Sequence, residues 1–473
     1  MKGSKNIILG LILIVFSLNL FSQTNQEDDS IYYYQQIAKR ELDSTNYKKV
    51  VRILDRAIKE GYVSTKILKT RAIANYKLRQ TRKAFLDIDE IEYEEHELMD
   101  ISPLMALYYI NKKSPKTAVN ILVNSYEEDN RRFFFSLSLI NERDVGLILK
   151  VIDEGFGNED FSMSLYSIKS MINYATKNYN DAYNDLLTAL EHNPKDGLLY
   201  FLYGEIKFDR KEFISALASY NSAIMYNETS SLTYKQRAIT KGFLNDFNGA
   251  IDDYNIILER EPQNPEIYYL RAISKNYLAD YNGAIMDLNK AISLNDTFSS
   301  AYNYRGIVYI NLGDYPSSLF DFNKTLSLNP NHPFTHNNIG IALAKTGQNM
   351  KAVEYFSKAI SLDKKHGDAY YNRGKLLLER GDYKKAKPDI LTALEINYQN
   401  PDAHYLLALI YIQEKKKNPR LKLEEKICTE LETASGMNHP KAAELFSITC
   451  EKIEPVDPQE ELEEIESEYI EED

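Results

Sequence analysis

The sequence predicts an all-α solenoid of antiparallel helix pairs, about eleven to twelve of them. Three observations carry this reading: a 34-residue spacing that recurs through most of the chain, apolar residues at helical spacing inside each period, and few helix breakers. The chain has 473 residues with 19 Gly, 14 Pro, 36 Tyr and no Trp. That length exceeds what one hydrophobic core accommodates, so either several domains or a repeat array is expected. The period selects the array.

Residues 1–22, MKGSKNIILGLILIVFSLNLFS, pass from Lys2 and Lys5 into an apolar stretch from Ile7 to Phe21. The stretch is short and interrupted by Ser17 and Asn19, so it reads as a secretory signal peptide cleaved after Ser22. No cysteine precedes Cys428, which argues against a lipidated cysteine at the cleavage site. No later segment is apolar enough to span a bilayer. The mature chain is therefore expected to be exported, periplasmic or at the cell surface, with no membrane span.

The period is clearest in PEIYYLRAISKNYLADYNGAIMDLNKAISLND (265–296), SSAYNYRGIVYINLGDYPSSLFDFNKTLSLNP (299–330) and GDAYYNRGKLLLERGDYKKAKPDILTALEINY (367–398). The frame also starts at 163, 197, 231 and 333. Within it residue 4 is aromatic or His, residue 8 is small, residue 17 is usually Tyr or Phe, and residue 20 is usually Ala. Tyr179/Ala182, Phe213/Ala216, Phe247/Ala250 and Tyr281/Ala284 show the last two; Pro194, Pro262 and Pro330 occupy residue 32. This pattern resembles the tetratricopeptide repeat (TPR) family. The resemblance implies two antiparallel helices, A and B, per unit, stacked into a right-handed superhelix. Looser matches start at 31, 65 and 99, and residues 133–162 are too short and lack the markers. The expected organisation is a signal peptide (1–22), divergent helix pairs (31–162), a regular array (163–400), C-terminal capping helices (401–450) and an acidic tail (451–473).

One departure from the family pattern stands out. Residue 7, ordinarily a large apolar residue between helices A and B, is basic in six units: Arg71, Lys169, Arg237, Arg271, Arg305 and Arg373. Residue 23 is aspartate in the same six: Asp87, Asp185, Asp253, Asp287, Asp321 and Asp389. In four other units neither charge is present: Ile37/Ile53, Met105/Ile121, Tyr203/Ser219 and Ile339/Tyr355. A lone charge at a helix interface costs several kcal/mol, so the joint switching predicts a structural ion pair within each hairpin.

The remaining residues suggest a binding surface. Helix A residues off the packing stripe, chiefly residues 2, 5, 9 and 12, are expected to line a concave groove. Residue 5 gives a ladder of Phe201, Lys235, Tyr269, Asn303, Asn337, Tyr371 and Tyr405, suited to an extended peptide. The family's clamp for C-terminal carboxylates is missing, because Lys235 is followed by Ile239 and then Leu270. No catalytic constellation, phosphate loop or metal motif occurs, so no cofactor, metal or enzymatic activity is expected. His332 and His336 straddle a repeat boundary, and DEGFGNED (153–160) lacks the ligand order of a calcium loop. Prolines also test the frame: Pro316 opens a helix B harmlessly, whereas Pro388 should delay or bend one.

Net charge is −12, of which the tail EKIEPVDPQEELEEIESEYIEED contributes −11. The body is nearly neutral, which excludes a nucleic-acid surface. Cys428 and Cys450, the only cysteines, fall on the two helices of the cap and are expected to form a disulfide in an exported chain. The expected function is a non-catalytic protein- or peptide-binding scaffold of the cell envelope. The alternative is an accessory subunit of a secretion, polysaccharide or outer-membrane assembly machine.

Overall fold

Each 34-residue period folds as two helices because residue 15 reverses the chain. That residue lies in the left-handed region at Thr45, Arg79 and Lys113, then at Lys177, Lys211, Asn245, Ala279, Gly313, Gly347 and Gly381. In the 265 repeat the Ala279 amide donates to the Asn276 carbonyl at 3.0 Å and the Asp280 amide to the Lys275 carbonyl at 2.9 Å. These bonds satisfy the last carbonyls of helix A. The carboxylate of Asp280 then accepts from the Gly283 amide at 2.9 Å and caps helix B. Asp246, Asp314 and Asp382 cap their helices in the same way.

The computed structural model describes residues 31–91, 99–155 and 162–450. The expected signal peptide, the acidic tail and the acidic, glycine-containing stretch from Phe156 onward lie outside the described residues. Among the described residues there is no strand, and no helix is long and apolar enough to cross a membrane. The chain divides between Leu244 and Asn245 into two compact units.

The first unit holds α1 (31–43), α2 (Tyr47–Lys59), α3 (Thr65–Lys77), α4 (Thr81–Asp89), α5 (Ser102–Asn111), α6 (Pro115–Glu128) and α7 (Asn130–Ser136). It continues through α8 (Glu142–Gly155), α9 (Ser162–Ala175), α10 (Tyr179–His192), α11 (Gly197–Asp209), α12 (Phe213–Met225) and α13 (Ser231–Phe243). The second holds α14 (Phe247–Arg260), α15 (Pro265–Tyr277), α16 (Tyr281–Leu294), α17 (Ser299–Leu312), α18 (Tyr315–Leu328) and α19 (Pro333–Lys345). It ends with α20 (Asn349–Leu362), α21 (Gly367–Glu379), α22 (Tyr383–Ile396), α23 (Pro401–Lys417), α24 (Glu424–Gly436) and α25 (Pro440–Thr449). Within each unit helix A packs on its own helix B, and helix B packs on the next helix A.

Side-chain size at residues 8 and 20 sets how closely the helices approach. Ala84, Ala182, Ala216, Ala250, Ala284, Ala352 and Ala386 at residue 20 are fully buried. At Gly204, Gly306 and Gly340 residue 8 meets an aromatic residue 24: a Cβ on Gly306 would lie 2.5 Å from the Phe322 ring. Residue 4 closes the loop between repeats. Tyr268 donates to the Pro262 carbonyl at 3.3 Å, and His336 Nε2 and His404 Nε2 donate to the Pro330 and Tyr398 carbonyls at 3.2 and 2.8 Å.

One irregular stretch is given its elements, and two local expectations are revised. The short stretch after α6 folds as the seven-residue α7, a 3-10 turn (Leu137–Leu139) and α8, a shortened hairpin that moves the period by four residues. Pro388 lies inside α22, which nevertheless begins at Tyr383 like the other B helices. The proline removes only one intrahelical donor, and Lys384, four residues earlier, is exposed to water. At the C-terminus α24 is shared, packing on α23 as its helix B and on α25 as its capping partner.

Candidate functional site

The basic residue 7 reaches two helices rather than one. Arg305 donates through Nε and Nη2 to the two carboxylate oxygens of Asp321, each at 2.7 Å, while its Nη1 donates to Asn289 Oδ1 at 2.5 Å. Asp321 sits on the helix B of the same hairpin; Asn289 sits on the helix B before it. Arg271 binds Asp287 (2.6 and 2.8 Å) and Asn255 (2.6 Å), and Arg373 binds Asp389 (2.7 Å) and Ser357 (2.9 Å) in the same way. In the first unit Arg71 joins Asp87 at 2.6 Å and Asp55 at 2.9 Å. The planar five-donor guanidinium is suited to this, since one edge forks a carboxylate and the remaining N–H points elsewhere.

In another hairpin lysine takes the same place. Lys169 Nζ lies 3.0 Å from Asp153 and 3.7 Å from Asp185, whose other oxygen accepts from Asn173 at 2.9 Å. Arg237 donates to Asn221 at 2.9 Å within the first unit, whereas Asp253 belongs to the second, so that expected pair falls across the division. Residue 25 of the preceding repeat, sixteen positions before each basic residue, was missed as a partner. Its signal was legible: Asp55, Asp153, Asn221, Asn255, Asn289 and Ser357 are all short oxygen-bearing side chains.

Each pair is inside the fold. Asp321 is 1% exposed and Asp389 5%. Hydrogen bonding to Asp321 and Asp389 raises the pKa of Arg305 and Arg373, while burial pushes the Asp87 carboxyl up against the opposing pull of Arg71. The arginines also lie over the residue 4 rings: Arg271 is 5.4 Å from the Tyr268 centroid and Arg305 5.6 Å from Tyr302. Where the charges are absent, Met105 and Ile121 or Ile339 and Tyr355 join apolar clusters instead.

The helix A ladder is only partly a surface. Phe201 is 3% exposed because its ring packs 6.1 Å from Tyr220, and Asn337 is 6% exposed, its Oδ1 accepting from Asn372 at 3.0 Å. Both are withdrawn from the expected groove. Asn303 is half-buried and accepts from the Thr335 hydroxyl at 2.8 Å, so its carbonyl also ties neighbouring A helices. Tyr269 sits between Phe298 and Tyr304 at 5.3 and 5.9 Å, and Tyr405 stacks on His439 at 4.5 Å. Lys235 and Tyr371 are half-buried, and desolvation raises the Tyr371 hydroxyl to about 12.

One turn further along, the A helices of the second unit present a better floor. Ile273, Ile307 and Ile341 at residue 9 and Ile310, Leu378 and Ile412 at residue 12 are all half-buried. Ile307, Ile310 and Ile341 pack together against the buried cluster that holds Phe322 and Phe356. Amide groups border it: Asn311 donates to Asn276 at 3.0 Å, and Asn276 donates to the Tyr304 hydroxyl at 3.2 Å.

Three histidines serve the fold. His332 Nδ1 accepts from the Thr335 amide at 3.2 Å and caps α19; His404 Nδ1 lies 2.5 Å from Glu430, and His439 Nε2 3.1 Å from Asp402. Among the described residues no three His, Cys, Asp or Glu come together as a metal-ligand set. Cys428 and Cys450 are joined as a disulfide with Cα atoms 5.8 Å apart.

Models of the tetratricopeptide repeat match residues 299–332, 322–354 and 343–410. Residues 299–410 are tetratricopeptide repeats. Arg305, Asp321, Arg373 and Asp389 all lie in these repeats, as do Ile307 and Ile341. No curated protein matches the chain. Among solved structures, a tetratricopeptide repeat protein from Parabacteroides merdae is 23% identical over 52% of this chain and 97% of its own, at a TM-score of 0.47. The yeast Tom70 structure is 14% identical over 89% of this chain and 95% of its own, at 0.45. The APC/C hetero-tetramer Cut9-Hcn1 is 15% identical over 88% and 89%, at 0.44. At these scores the likenesses bear on nothing beyond the helical repeats already described.

Proposed function

We propose that the protein is a non-catalytic scaffold that binds an extended protein segment along the A helices of the second unit. The supporting observation is the row Ile273, Ile307 and Ile341 beside Tyr269, Tyr371 and the bordering amides. The isoleucines and rings supply apolar area, and the amides can pair with the backbone of an extended chain. With each arginine tying its own hairpin to the preceding one in fixed register, such a surface is pre-organised, which reduces the ordering cost of binding.

The test is selection from a random peptide display library on the intact protein, followed by affinity measurement. Ile307→Glu with Ile341→Glu should weaken the selected peptides at least tenfold at a temperature where amide exchange shows the variant still folded. Equal affinity in the variant would remove the groove from the reading. The N-terminal sequence motivates export to the periplasm or cell surface. Amino-terminal sequencing of the protein from envelope fractions should then begin at Gln23, and an intact Met1 would oppose it. A role as accessory subunit of an envelope assembly machine is the alternative; one stoichiometric partner after cross-linking in envelope extract, rather than a mixture, would favour it.

A further inference from the structure

Three of the seven histidines sit where successive hairpins of the second unit join. His332 and His336 lie at the entry to α19, and His366 lies at the entry to α21. The Phe334 ring stands between them, 5.9 Å from His332 and 4.6 Å from His366. His336 is 8% exposed and His366 4%.

What their nitrogens face favours the neutral rings. His332 Nδ1 accepts from the Thr335 amide at 3.2 Å, so a proton there would remove the cap of α19. His336 Nε2 donates to the Pro330 carbonyl at 3.2 Å, which leaves Nδ1 as the bare nitrogen. That Nδ1 and the Nε2 of His366 are buried with no hydrogen-bond partner among the described residues. Charging either ring would bury a positive charge beside an N–H that has no acceptor, and both are costly.

Burial, the largest cause, pushes all three imidazoles below their ordinary 6.5. Lys358 on α20 adds to this at His336, and His336 adds to it at His332. The Pro330 carbonyl pulls the other way at His336, as do the carboxylates of Asp363 and Asp368 at His366, and burial outweighs them. No other charged group among the described residues shifts these rings. A histidine near the C-terminus supplies the contrast. His404 is also residue 4 of its repeat, and its Nε2 likewise donates to a carbonyl, that of Tyr398, at 2.8 Å. Its Nδ1, however, faces Glu430 at 2.5 Å, so both nitrogens meet acceptors.

We propose that the stretch from Pro330 to Gly367 is an acid-responsive joint: proton uptake by His332, His336 and His366 opens the hairpin of α19 and α20 from its neighbours, while α23, which carries His404, stays closed. The direction follows from linkage. A group whose folded-state pKa lies below its unfolded one contributes stability that is complete above the unfolded value and is lost as pH falls below it. The response therefore belongs between about pH 7.5 and about pH 5.5, above the range in which ordinary carboxylates titrate. Because α19 carries Ile341, a partner held there would be released with it. That consequence rests on the peptide-binding reading; the joint itself does not.

The test measures amide-exchange protection factors on the full chain at pH 7.5 and pH 5.5. Protection in α19 and α20 should fall at least tenfold, while α15, α16 and α23 change less than twofold. His332→Asn, His336→Tyr and His366→Asn together introduce residues that the array already uses at those places, as in Asn264, Tyr268 and Asn400, and should remove the fall. If that variant folds poorly at pH 7.5, the native chain decides: the ring protons of His336 and His366 should titrate below 6.5 by NMR. Titration at or above that value would overturn the proposal. So would equal protection at the two pH values, an equal fall in the triple variant, or a fall shared by α15 and α16.

Discussion

The two units hold similar hairpins together by different means. In residues 31–244 one continuous apolar cluster runs from Leu68 to Ala223, through hairpins that place Met105, Ile121 and Tyr203 where charges stand elsewhere. Contacts far apart in sequence supplement it: Tyr126 donates to Asp196 at 3.0 Å, and Arg132 and Lys69 both grip Asp100. In residues 245–450 the buried apolar residues gather in smaller clusters, two of them bridged by Val353, and Arg–Asp layers recur along the array. A repeat array can therefore gain its cohesion from a core that ignores the period or from a polar staple that obeys it. The second route is local: every staple joins groups sixteen residues apart, so each hairpin specifies its own register and that of its neighbour.

The largest effect should come from breaking a staple. Arg305→Ala strands Asp321, which is 1% exposed, and should cost about 3–5 kcal/mol, the usual penalty for an unpaired buried charge. Arg305→Leu with Asp321→Leu should recover most of it, as Ile339 and Tyr355 do naturally. Amide exchange in α17 and α18 is the suitable readout, because repeat arrays need not unfold as one step. Equal losses in the single and double variants would contradict the pairing as the cause.

A smaller effect tests the first unit. Hydrogen bonding by Arg132, chiefly, holds the Asp100 carboxyl at about 2, below its ordinary value of 3.8. A lowered folded-state pKa contributes stability that is present above the unfolded value and is lost as pH falls through the folded one. Asp100 is partly exposed, so after solvent screening Asp100→Asn should cost about 1 kcal/mol at pH 7. The gap to the parent protein should close between about pH 4 and pH 2. A pH-independent gap would mean that the carboxylate's charge is not what holds α7 near α3.

The smallest effect applies to both units. Lys177, Lys211 and Ala279 occupy the left-handed turn position that is glycine at Gly313, Gly347 and Gly381. Lys211→Gly in the first unit and Ala279→Gly in the second should each stabilise by about 0.5–1 kcal/mol, and Gly347→Ala should destabilise by a similar amount. A shift in the thermal midpoint of opposite sign would show that the side chain's own contacts outweigh backbone strain.

Much of the architecture was legible before any coordinates. Tyr or Phe at residue 17, Ala at residue 20 and small residues at residue 8 mark helices that pack closely, and the Arg–Asp coincidence named four pairs that meet, Arg71/Asp87, Arg271/Asp287, Arg305/Asp321 and Arg373/Asp389. The groove was less legible. Residue 5 looked like a surface position in Phe201 and Asn337, but contacts from Tyr220 and Asn372 cover them, and neither neighbour can be inferred from helix periodicity alone.

By itself the sequence determined the helical hairpin, its length and its internal pairing, because those depend on interactions within about 34 residues and repeat often enough to be read as a pattern. Only the tertiary structure decided that each arginine also grips the preceding hairpin, that Phe201 and Asn337 are covered while the rest of their ladder stays half-buried, and that α24 serves two partners. Those outcomes depend on the angle at which one hairpin meets the next, a distance set jointly by many side chains and encoded in no single position.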